Sequence, residues 1–187
     1  MKTIKILTAL LSLFVVINGI GQDYSFKRFK VDLAAGYGIP EGFGSKAGAI
    51  LALEPKYALT DNITVGLRFE AAVLSRVPMD VDGNYFEDGD VSASASYLAT
   101  TDYYFNTNKF RPFLGLGAGV FRSASANLSG GTDETLNSSH FGFMPRAGFE
   151  WGHFRTAIEY NLAGKTGEFS NNYLGIKIGF FFGGGRK

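Results

Sequence analysis

The sequence predicts an all-β protein, an eight-stranded antiparallel up-and-down transmembrane β-barrel. Three observations carry that expectation. From Phe29 onward, apolar residues alternate with period two in segments of about ten residues. Each segment has one greasy face and one that is ionic or glycine-rich, and the connections between segments alternate short with long. The composition agrees. The 187 residues include 25 Gly, and 15% are aromatic against 19% charged. A mean hydropathy of +0.04 is too polar for a bundle of membrane helices. An apolar content of 45% with a formal charge of +1 argues against disorder and against a nucleic-acid partner held by its phosphates. With no Cys there are no disulfides, thiolate metal sites or lipidated N-terminal Cys.

Residues 1–21 read as a cleaved signal peptide. Lys2 and Lys5 precede an apolar stretch from Ile6 to Ile17, which is too short to span a bilayer, and Gly19 and Gly21 supply a small-residue exit before Gln22. Residues 22–187 form one outer-membrane β-barrel domain in this reading, with 16 basic against 17 acidic residues once Lys2 and Lys5 are gone. Strands are expected at 29–38, 47–57, 62–74, 91–105, 111–123, 140–151, 154–163 and 172–182, lengths that suit tilted membrane-crossing strands.

The faces decide sidedness. Phe29, Val31, Leu33, Ala35 and Tyr37 share one side of the first segment, against Lys30, Asp32, Gly36 and Gly38. Ile63, Val65, Leu67, Phe69 and Val73 oppose Arg68 and Glu70; Phe141, Phe143, Phe149 and Trp151 oppose Arg146 and Glu150. Phe154, Ile158 and Leu162 face away from Arg155 and Glu159, and Ile176, Ile178, Phe180 and Phe182 from Lys177. The polar faces therefore collect Lys30, Asp32, Glu54, Lys56, Arg68, Glu70, Asp102, Arg146, Glu150, Arg155, Glu159 and Lys177, six of each sign. Small neighbours such as Gly66, Ser96, Gly115, Gly148 and Gly179 leave room beside those long side chains, as a narrow closed lumen requires. A soluble lipocalin-like barrel would instead carry an apolar cavity. Ile50, Leu74, Leu98, Phe113 and Phe121 break the pattern, falling inward by parity; a bulge-shifted register or a position beyond the membrane zone is expected for some of them.

The long connections, 39–46, 75–90, 124–139 and 164–171, are expected to be extracellular loops, and the short ones, 58–61, 106–109 and 152–153, periplasmic turns. Tyr57, Tyr103, Phe105, Phe110, Trp151, Phe154 and Phe182 gather at the turn end as an interfacial aromatic girdle. The run Arg111-Pro112-Phe113-Leu114-Gly115-Leu116-Gly117-Ala118-Gly119, the strand end Tyr103-Tyr104-Phe105 and the terminal Phe180-Phe181-Phe182 resemble the small eight-stranded outer-membrane β-barrel family of Gram-negative bacteria, that of OmpX and the OmpA transmembrane domain. The resemblance covers about 29–182. It implies residence in the outer membrane among lipid and lipopolysaccharide, and delivery by the barrel-insertion machinery. The chain departs from the family by adding Gly183-Gly184-Gly185-Arg186-Lys187 after the aromatic strand.

For function, an eight-stranded barrel is expected to be filled by its own side chains rather than to conduct. A structural or surface-interaction role through loops 75–90 and 124–139 follows, with no cofactor, no metal and no catalytic residue. Two alternatives are a small porin-like ion or lipid transporter and a lipid A-modifying enzyme. Asp80-Val81-Asp82-Gly83-Asn84 with Glu87, Asp88 and Asp90 offers oxygen ligands for a divalent cation, but not at EF-hand spacing, so a solvated acidic loop is expected. A hydrolytic set would have to draw on His140 with Ser138, Ser139, Asp133 and Glu134. The Ser170-Asn171 pair faintly resembles the lipid A deacylases, but lacks the adjoining His of those enzymes.

Overall fold

In a computed structural model of the chain, the described residues are 25–41, 45–76, 90–126, 136–166 and 169–185. Residues 1–21, where the signal peptide is expected, most of the acidic loop and residues Asp133 and Glu134 lie outside them. The strands are β1 (Phe29–Pro40), β2 (Ser45–Ala58), β3 (Ile63–Arg76), β4 (Asp90–Tyr104), β5 (Phe110–Ala126), β6 (Leu136–Trp151), β7 (Phe154–Asn161), β8 (Lys165–Thr166), β9 (Phe169–Ser170) and β10 (Tyr173–Gly183). All eight expected strands are present, several longer toward the loops. The two-residue pair β8–β9, which the sequence did not announce, is a separate hairpin within 164–171.

Each barrel strand pairs antiparallel with its chain neighbour, and β1 pairs with β10 to close the cylinder. Closure removes the open edges that a sheet would otherwise present. The short connections are pinned by their own side chains: Thr60 Oγ1 accepts from the Ile63 amide at 2.9 Å, and Asn106 Oδ1 from the Asn108 amide at 3.0 Å. The two-residue turn after β6 needs Gly152, whose φ of 63° suits glycine. The added glycine tail is also used. Gly184 donates to the Phe29 carbonyl at 2.9 Å and the Lys27 amide donates to Gly185 at 2.9 Å, so the β1–β10 seam continues past the aromatic strand.

Outward positions carry the large apolar side chains, including Leu51, Leu67, Leu114, Phe141, Ile178 and Phe182, all exposed. Around the turn end, rings of Phe110, Phe149, Phe154 and Phe180 follow one another at 5.0, 6.5 and 5.7 Å. Ile50, Leu74, Leu98, Phe113 and Phe121 do face inward, and a register shift is not the cause. Pairing is continuous on both sides of Leu98, Phe113 and Phe121, and Gly36 opposes Ile50 in an unbroken β1–β2 ladder. The shift in the β2–β3 pair lies between Lys46 and Ala49, before Ile50 and on the strand opposite Leu74, whose own ladder to β4 runs unbroken through Ser92.

Candidate functional site

The barrel interior concentrates the chain's polar chemistry. All twelve lumen residues singled out from the sequence are buried, none more than 6% exposed. Inward parity on seven of the strands aims them at one another, and the glycines between them make the space: a Cβ on Gly115 would collide with the Asp102 carboxylate.

Two linked knots form an ionic belt. Toward the turns, Glu150 Oε1 accepts from Lys30 Nζ, from the Tyr104 hydroxyl at 2.6 Å and from Arg155 Nη1 at 2.7 Å. Asp102 accepts from Lys56 at 2.8 Å, Arg146 at 2.7 Å and Arg155 at 3.0 Å. Asp32 lies 2.6 Å from Lys56 Nζ as an ion pair without hydrogen-bond alignment, and 3.4 Å from Arg155. Toward the loops, Arg68 holds Glu159 with two bonds of 2.8 and 2.7 Å, and Lys177 lies 2.6 Å from the same carboxylate. Glu70 accepts from Arg68, from Lys177 and from the Tyr173 hydroxyl at 2.5 Å. Glu54, gripped by both Arg146 amino groups at 2.8 and 2.7 Å, stands 3.6 Å from Arg68 and joins the knots.

Sequence reasoning missed three members. Tyr104 and Tyr173 are fully buried hydroxyl donors to the belt, and Arg111 reaches 3.8 Å from Glu150. Their inward parity was the available signal. On the loop side the belt is covered by apolar collars, one of Ile50, Ala72, Leu74 and Tyr173, the other of Leu98, Phe121, Met144 and Ala163. On the turn side Tyr104, Phe113 and Ala157 pack together. The central void, lined by Asp32, Glu54, Arg68, Arg155, Glu159 and Lys177 among others, measures about 20 Å3, room for about one water.

Of the hydrolytic candidates, Asp133 and Glu134 lie outside the described residues. His140 Nε2 is buried with no hydrogen-bond partner among the described residues, and its ring packs on Gly164. His153 instead ties the β6–β7 turn to the last strand, its Nδ1 2.8 Å from the Phe181 carbonyl.

A closed sequential barrel of eight strands, greasy outside and ion-paired within, now stands beside known folds. Neisserial surface protein A superposes with a TM-score of 0.63 at 17% identity, over 83% of this chain and 96% of that one. The attachment invasion locus protein Ail of Yersinia pestis, solved in complex with the heparin analogue sucrose octasulfate, gives 0.50 at 16% identity, over 83% and 99%. The chain has the small outer-membrane barrel fold. No family model and no curated protein matches the sequence.

Proposed function

We propose that the chain is an integral outer-membrane protein of a Gram-negative bacterium, exported by a cleaved signal over 1–21, with a sealed lumen and no catalytic activity of its own. It acts in structural support or surface interaction through its loops. One observation carries the reading: the interior is filled by a cross-paired ionic belt capped by apolar clusters, while the exterior bears a broad apolar surface that only hydrocarbon accommodates at low cost. Such a belt serves closure and specificity, since desolvation offsets much of the attraction between its charges. The twelve charged lumen residues are therefore a structural plug. Lipid and lipopolysaccharide surround the wall, the barrel-insertion machinery places it, and loops 75–90 and 124–139 meet any surface ligand. That Ail, a barrel of this fold, is solved with a heparin analogue supports a surface-interaction role.

Fractionation with heat-modifiable gel mobility, joined to protease shaving of intact cells, tests this. The expected result is a heat-modifiable band in the outer membrane, cleaved within 75–90 or 124–139 and spared at 106–109. Cleavage at 106–109 from outside overturns the topology. Planar-bilayer conductance well above leak would overturn the plug in favour of a pore, and altered lipid A lost on His140→Ala would favour an enzyme.

A further inference from the structure

The belt is not neutral once the structure is known. Adding Arg111 gives seven cations in the lumen against six carboxylates among the described residues. The surplus sits at the turn end, where Glu150 is already shared by Lys30 and Arg155 and lies 3.8 Å from Arg111. Arg111 donates from Nη2 to the Asp61 carbonyl at 2.5 Å but, among the described residues, its one ion pair is the 3.8 Å contact with the already shared Glu150, so a counter-charge is expected there.

Directly beside Arg111 is a partly enclosed void of about 10 Å3, room for about one small occupant. Its lining includes Lys27, Arg28, Lys30 and Arg111 against one carboxylate, Asp61. That carboxylate is engaged by the Ser25 and Phe26 amides at 3.0 and 3.4 Å. The Phe26 ring closes the void from the turn side, with the Arg111 guanidinium stacked 4.0 Å from its centre. Two lining residues bring buried polar atoms with no hydrogen-bond partner among the described residues: Arg111 Nε and Thr64 Oγ1. Arg111 is 7% exposed and Thr64 5%. Two unanswered polar groups, an excess of cations and space for one particle converge at one place.

We propose that this void binds a single small monovalent anion, a halide under ordinary salt conditions, held by Arg111 Nε–H and the Thr64 hydroxyl beneath the Phe26 ring. The anion supplies the counter-charge that the lumen lacks and locks the N-terminal segment over the turn-end mouth. Water satisfies the same two atoms without the charge, which makes it the competing occupant.

The full barrel, refolded in detergent and crystallised in bromide, decides between them. The expected result is an anomalous bromide peak beside Arg111 and Thr64, lost in Thr64→Val and in Arg111→Lys. In solution, bromide or chloride raises the unfolding temperature over gluconate at equal ionic strength, and both variants lose that increment. Thr64→Val, which removes no charge, keeps the test open if Arg111→Lys does not fold. No anomalous peak in the wild type, a peak undiminished in the variants, or equal stability in halide and gluconate overturns the proposal.

Discussion

The ionic belt and the apolar collars occupy the same lumen on the same inward parity, yet they fill it by opposite means. In the belt each carboxylate meets two or three cations; Asp102 alone takes Lys56, Arg146 and Arg155. In the collars Ile50, Leu98, Phe121 and Met144 fill space by shape, each no more than 2% exposed. The belt is demanding because each carboxylate is shared among several cations, whereas a collar residue answers only for its own volume. Sealing therefore comes from both. The collars keep bulk water off the loop side, and the belt fixes which side chain stands where.

The largest expected break in that contrast is Asp102→Ala. It leaves three buried cations short of their shared carboxylate and is expected to cost about 3–5 kcal/mol, read as a lower urea midpoint for loss of heat-modifiable mobility in micelles. A loss under about 1 kcal/mol would mean that water reaches the belt and the plug is looser than its geometry. Next comes a change of opposite sign beside the collar. Asn161 has both amide atoms buried without partners among the described residues, so Asn161→Val is expected to stabilise by about 1–3 kcal/mol in the same assay. Destabilisation would show that Asn161 is satisfied by ordered water and belongs to the belt.

The belt was legible in the sequence because period-two alternation assigns faces without knowing partners. Lys30, Glu54 and Arg68 announced themselves on strands whose other face was plainly greasy. The collars were not, because parity puts Leu98 and Phe121 inside while their chemistry reads as outside; only the unbroken β4–β5 and β5–β6 ladders resolve the conflict. Arg111 opens its strand and Tyr104 closes its own, where face assignment is weakest, so their places waited on the three-dimensional register. The pairing of the added glycine tail with Lys27 and Phe29 has no local signature in the sequence. Which charges meet across the lumen, such as Glu54 with Arg146, 92 residues apart, lies beyond any local pattern.

A smaller test probes how tightly the collar is built. Ile50→Val removes one methylene from a fully buried position beside Ala72, Leu74 and Tyr173, and is expected to cost about 0.5–1.5 kcal/mol. A neutral result would show that loop-side water fills the space, and that the collar seals less well than the belt.

The weakest effect belongs to a carboxylate outside both regions. Glu41 follows β1 at the loop end and is exposed; Ser170 donates to its Oε2 at 2.9 Å and Asn172 at 3.1 Å, linking the first and last long connections. The Ser170 hydroxyl, then the Asn172 amide, hold its carboxyl below the usual carboxylate range. Because the folded-state value is depressed, the contribution of this tie is present above the unfolded value and is lost as pH falls through the folded one. Solvent screening keeps that contribution small, in contrast to the belt. Carboxyl-detected NMR titration of the refolded barrel is expected to show Glu41 titrating below an ordinary glutamate, and Ser170→Ala is expected to move it upward. Unfolding midpoints should barely change between the two proteins. If Ser170→Ala left the titration where it was, the link between the two loops would not be what holds the Glu41 carboxylate, and only buried carboxylates in this barrel would carry structural weight.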